Sequence, residues 1–240
     1  MIKFFRKIRQ NLLVENKTGK YLKYAFGEIV LVVIGILIAL SVNNWNEKRK
    51  LNDTIKGVYS IVKSDLLSDI ETIDKVLVAT QFKDSIFKQV INRKITRDDY
   101  LKCYQCMQIL YGFPDMKLKT RGLKLLEEDS AVLNSFQDSL SIEINNFYSF
   151  YNTEIDASIQ EVWDDFNDNL YYFKNNKPWF TDYINSKVNS EFIEYALTST
   201  DYINRVNHFY IVYYTINLGH LKEYRKDAFV LIENINREID

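Results

Sequence analysis

The chain has 240 residues, 47% of them hydrophobic and 15% aromatic, with 31 Lys and Arg against 32 Asp and Glu and a formal net charge of −1. That balance leaves no basic footprint for nucleic acid beyond the N-terminal segment. Seven Gly and two Pro are too few turn-formers for a fold of many short strands, so long helices are favoured.

Residues 1–24 are basic. Ile2, Phe4, Phe5, Ile8, Leu12 and Leu13 recur at helical spacing among Lys3, Arg6, Lys7, Arg9 and Gln10, which predicts a short amphipathic helix lying in the headgroups of the inner leaflet. From Tyr24 to Val42 the only charged residue is Glu28, and the length approaches the roughly 20 residues that cross a hydrocarbon core. A transmembrane helix is therefore expected over residues 25–44. A signal peptide fits poorly, because the apolar run starts late and ends in Ser41-Val42-Asn43-Asn44 without a small-x-small cleavage site.

Lys3, Arg6, Lys7, Arg9, Lys17, Lys20 and Lys23 precede the span, whereas Lys48, Arg49, Lys50 and Lys56 follow it. The positive-inside rule then puts the N-terminus in the cytoplasm. Tyr21 and Tyr24 on the near side and Trp45 on the far side fit interfacial anchors. Gly27, Gly35 and Ala39 line about one face, where small residues let a second helix approach closely, so the span is expected to self-associate. Glu28 lies shallow enough to snorkel to the headgroups.

Leu51, Ile55, Val58, Val62, Leu66, Ile70, Ile73 and Leu77 continue at three-to-four spacing, predicting that the span runs on into a stalk helix ending near Val90. Thr96 reads as an N-cap with Asp98 and Asp99 in the first turn, opening a helix through Tyr111 that stops at Gly112-Phe113-Pro114. A short segment over 116–126 is interrupted by Gly122. A longer pattern runs from Val132 to Leu170, with a break expected near Asn152-Thr153. Asn175-Asn176-Lys177-Pro178 is the clearest loop, and a last helix capped by Asp201 carries Ile203 through Ile235. The expected fold is all-α: a single transmembrane helix continuing into a stalk, then an extracytoplasmic antiparallel helical bundle over residues 45–240.

The opening MIKFFRKIRQNLL, Gly19-Lys20-Tyr21-Leu22-Lys23-Tyr24-Ala25, the run GEIVLVVIGILIAL and Asn43-Asn44-Trp45-Asn46-Glu47 resemble domain-of-unknown-function family 6090. A weaker echo lies at Leu118-Lys119-Thr120-Arg121-Gly122, followed by the helix from Asp138 to Tyr151, although Arg121 departs from the small residue that similar proteins carry. The resemblance implies single-pass bacterial membrane proteins with an extracytoplasmic helical domain, and it supplies no catalytic residue.

Chemical motifs are few. Cys103 and Cys106 form a C-x-x-C, but thioredoxin-like pairs follow a strand and open a helix. Placed inside a predicted helix, these two are expected to form a local disulfide or remain buried thiols. No second Cys pair completes a zinc site. His208 and His220 lie twelve residues apart in the sequence, on different sides of one predicted helix, so they do not share a metal. Asp164-Asp165 with Asp168, and Glu127-Glu128-Asp129, lack the alternation and Gly of a calcium loop and read as solvated faces. Tyr171-Tyr172-Phe173 and Trp179-Phe180 read as bundle core, with a ligand pocket as the sharper alternative.

No catalytic, cofactor or metal residues are assigned, and an enzyme is not expected. The reading is an inner-membrane protein with a cytoplasmic N-terminus, presenting a periplasmic helical domain to another envelope protein or to itself. The alternative is a sensor whose helical domain binds a ligand. With some 25 residues before the span, such a sensor would have to signal through a partner. The partners expected are the lipid bilayer, a second copy of the chain and an unidentified envelope protein, with no nucleic acid.

Overall fold

In a computed structural model the described residues are 18–128 and 139–239, and among them every regular element is helical. The predicted amphipathic segment over residues 1–13 and the start of the pattern at Val132 lie outside them. The chain divides into two compact units, Met1–Ile55 and Lys56–Asp240.

Helix α1, Thr18–Ile91, contributes to both units. Within the first unit its apolar stretch is bare on every side: Leu31 is 63% exposed, Leu37 56% and Leu40 53%. It is the one helix among the described residues that is long and apolar enough to cross a membrane. A Cβ added at Gly27 or Gly35 would meet nothing within 4 Å. Trp45 is 64% exposed, with the Arg49 guanidinium 5.5 Å from its ring. The side chains of Tyr21 and Tyr24 are outside the described set.

In the second unit the three-to-four spacing becomes a buried stripe. Val58, Val62, Leu66, Ile70, Ile73 and Val90 of α1 are buried, and Tyr59 of the same stretch shares a 2.7 Å hydrogen bond with Ser141 of helix α5, Ser139–Asn176. The remaining elements in chain order are α2 (Arg97–Lys102), α3 (Tyr104–Met107), α4 (Arg121–Glu128), α6 (Phe180–Ile184), α7 (Ser190–Thr198), α8 (Thr200–Phe209), a π-helical segment (Tyr210–Asn217) and α9 (Leu218–Ile239). Bonds along their lengths give the directions. Lys56 Nζ donates to Ile239 O at 3.1 Å, Tyr224 OH to Asp69 at 2.9 Å and Tyr210 OH to Asp84 at 3.0 Å. The C-terminal stretch therefore runs antiparallel to α1. It also runs antiparallel to α5, through Asn234 to Glu143 at 2.8 Å and Asn217 to Ser158 at 3.0 Å. It follows that α1 and α5 run the same way, so the three long helices do not simply alternate in direction.

Several boundaries differ from the sequence expectations, each for a local reason. Thr96 does cap α2 in a reciprocal box with Asp99, but the helix stops at Lys102 because Cys103 is extended at φ −116°, ψ 98°. The long pattern has no break at Asn152-Thr153: Thr153 Oγ1 donates back to Ser149 O at 2.8 Å and the helix absorbs it. The last helix is in fact three pieces. Its cap is Ser199, whose hydroxyl accepts from Tyr202 N, and Asp201 sits in the first turn instead.

Candidate functional site

Helical periodicity builds an open groove of about 650 Å³ between α5 and α8. Glu161, Asp164, Asp165 and Asp168 come from one face of α5, and Asp201, Arg205 and His208 from the facing side of α8, with Val212 of the π-helical segment at one end. The two faces have the same origin, since residues three and four apart share a helix side. Carboxylates outnumber cations here, so the groove is acidic.

Arg205 is the central tie. Its guanidinium donates to Asp168 at 2.9 Å, to Asn169 Oδ1 at 3.0 Å and to Asp201 at 3.2 Å, and it lies 3.7 Å from the Tyr172 ring centroid. Planar, fork-like donors with a stacking face suit Arg and not Lys. Although burial pulls the Arg205 pKa down, the Asp168 hydrogen bond and the Asp201 charge outweigh it and the net shift is upward. Burial likewise acts to raise Asp201, but the Tyr195 hydroxyl and Arg205 hold it below the usual carboxylate range. Asp165 goes the other way: burial pushes it up in spite of its 2.6 Å hydrogen bond to His208 Nδ1.

A carboxylate that orients an imidazole is one part of hydrolase machinery. The described lining residues place no hydroxyl or thiol beside His208 to serve as a nucleophile. His220 is elsewhere, its Nδ1 3.3 Å from Glu154 O. No group of three or more His, Cys, Asp or Glu among the described residues is placed to hold a metal. Of the sequence-predicted aromatics, Phe173 and Trp179 are buried with ring centroids 5.2 Å apart, Tyr171 is exposed and Tyr172 is the platform under Arg205.

A second polar cluster is buried where α4 meets α1. Asp65 Oδ2 accepts the Gly122 N–H at 2.8 Å, and Asp69 accepts the Lys119 N–H at 3.1 Å and the Tyr224 hydroxyl at 2.9 Å. Arg121 stands 3.6 Å from Asp65. Two carboxylates one turn apart on α1 thus satisfy backbone donors at the start of α4, donors that no intrahelical partner reaches. Gly122, expected to interrupt a helix, lies within α4 as a contact residue: a Cβ there would sit 2.6 Å from Val62 Cγ2 and 2.7 Å from its Cα and N. The sequence signal for this clasp was the placement of Asp65 and Asp69 inside an apolar stripe, between Val62, Leu66 and Ile70, where an acid has to find partners.

A family model described as a family of unknown function, DUF6090, matches residues 28–214. The chain belongs to this family. The matched DUF6090 region takes in most of the apolar helix, the α4 clasp apart from Tyr224, and both walls of the groove. No curated protein matches the chain, and no solved structure does.

Cys103 and Cys106 are joined as a disulfide, with Cα atoms 5.2 Å apart. Their expected setting inside a continuous helix is corrected by the structure, because Cys103 ends α2 and caps α3, its sulfur accepting from Cys106 N at 3.1 Å.

Proposed function

We propose that this protein is a membrane-anchored interaction module: α1 tethers the chain in a bilayer, and the helical second unit offers its acidic groove to a partner in the bacterial envelope. The observation that carries the reading is the bare apolar stretch of α1, with Ile29 63% and Ile38 59% exposed. Exposed apolar surface on that scale belongs in lipid or an interface. The basic residues preceding the span support a cytoplasmic N-terminus and a periplasmic second unit. A reporter enzyme active only in the periplasm, fused after Asp240, is expected to be active. Activity from a cytoplasm-only reporter at the same position would reverse the orientation.

Self-association through the span is part of the proposal. Gly35 and Ala39 lie one turn apart, and a Cβ at Gly35 meets nothing within 4 Å, so the face is open to a second helix whose backbone can come close. In a membrane two-hybrid assay Gly35→Leu is expected to weaken the signal and Ile36→Leu, about 100° round the helix, to leave it intact. Equal signals from the two variants would leave this face to lipid.

One observation favours the sensor reading as a second possibility. Val212, in the π-helical segment, lines the groove, and π-helical turns recur at functional sites.

A further inference from the structure

We propose that the Cys103–Cys106 disulfide is a redox-controlled break in a helix, exchanged by a dithiol protein of the thiol–disulfide oxidoreductase class. Residues three apart on an α-helix have Cβ atoms roughly 5 to 6 Å apart, whereas a disulfide needs about 3.5 to 4.5 Å. The bond and an unbroken helix therefore exclude one another at Cys103. The backbone is extended at that residue, and the flanking segments are helical on both sides, Arg97–Lys102 and Tyr104–Met107. No Gly or Pro lies between Thr96 and Tyr111; the segment leaves the helix again only after Met107, at Gln108, whose side chain is bonded to Tyr183 and Ser186.

The two sides of the break are held unequally. The C-terminal side is fixed by buried Met107, Ile109 and Leu110, and by Gln108 Nε2 donating to Tyr183 O at 3.0 Å and Ser186 Oγ at 2.7 Å. The N-terminal side, α2, rests on α7 through Tyr100, whose ring is 6.1 Å from Phe192, and through the exposed Arg97–Glu194 pair at 2.6 Å. The Tyr100 hydroxyl is buried beside that of Tyr202 of α8. Closing the helix at Cys103 moves α2, so the α2–α7 contact is the one the switch changes.

Cys103 is partly exposed and Cys106 is buried, so the attacked sulfur is Cys103. A partner thiolate bonds to Cys103 Sγ and the Cys103–Cys106 bond breaks, with Cys106 leaving as a thiolate that takes up a proton. The partner's second thiol then displaces Cys103 and departs in a disulfide, so that two electrons have passed from the partner dithiol to this chain.

Hydrogen exchange on the full-length protein in detergent micelles, oxidised and then reduced with dithiothreitol, tests the switch. Reduction is expected to slow exchange of the Tyr104 and Gln105 amides by about tenfold as they gain helical acceptors, and to speed exchange at Tyr100 and across Ser190–Thr198. Cys103→Ala/Cys106→Ala is expected to show the reduced pattern with no response to dithiothreitol. Reduction of the wild type with no change in either region overturns the proposal, and so does an equal dithiothreitol response in the double variant.

Discussion

Gly122→Ala is expected to lower stability by about 3 kcal/mol, at the upper end of what overpacking ordinarily does. The new methyl would lie 2.7 Å from the Cα and N of Val62 as well as 2.6 Å from its side chain. A side-chain clash can be relieved by a rotamer change, but a clash with the backbone of α1 requires α4 to back away. Movement of α4 stretches the 2.8 Å bond from Gly122 N–H to Asp65, and Asp65 is only 4% exposed, so a buried carboxylate loses a donor. Val62→Ala added to Gly122→Ala should not restore stability, because the Cα and N contacts remain. A melting temperature for Gly122→Ala within a degree or two of the wild type would mean that α4 does not approach α1 this closely.

The second large effect is a pH dependence located at Asp69. Burial lifts its pKa to about 6 from 3.8, working against the Lys119 N–H, the Tyr224 hydroxyl and the Lys119 charge, with the neighbouring Asp65 adding to the rise. The groups facing it are Asp65 on its own helix, Lys119 ahead of α4 and Tyr224 of α9; the buried Tyr148 of α5 feels the charge of both acids. An acid whose folded pKa is raised binds its proton more tightly when folded. Its stabilising contribution is therefore complete below about pH 3.8 and is lost as the pH rises through about 6. The full size is roughly 3 kcal/mol for an upward shift of this kind, of which a little over roughly 2 kcal/mol falls between pH 7 and pH 4. Asp69→Asn keeps an acceptor oxygen and removes the titration. The stability of the wild type relative to Asp69→Asn should thus increase by that amount from pH 7 to pH 4 in urea denaturation. Parallel stability curves for the two proteins would show that Asp69 titrates alike in the folded and unfolded chain.

Both effects arise at the turn over residues 118–122, which carries the weaker family resemblance. Leu118 to Gly122 holds no unusual chemistry in isolation. Its demands come from α1, some fifty residues earlier, which brings Asp65, Asp69 and the Val62 backbone against it. The groove is a similar case. Asp164, Asp165 and Asp168 were legible as an acidic face of a helix, but Arg205 and Asp201 were not legible as their neighbours, since each helix reports only its own periodicity. At Cys103 a local pattern was overridden outright. The spacing continues as a helix through Tyr111, but the pairing of two side chains takes Cys103 out of it and the second piece ends at Met107.

Contiguous residues alone account for the apolar run of α1, the helical class that follows from scarce breakers, the Thr96 cap with Asp99 and the membership signalled by the N-terminal motifs. These rest on rise, period and hydrogen-bond reach within one or two turns. The folded chain adds that Gly122 is a contact and no breaker, that Ser199 caps α8, that residues 210–217 wind as a π-helix and that α1 and α5 run in the same direction. The Gly122 contact and the shared direction of α1 and α5 are set by side chains far apart in the chain competing for the same buried volume and the same donors. Local propensities of a few tenths of a kcal/mol per residue give way to packing and buried hydrogen bonds of one to several kcal/mol.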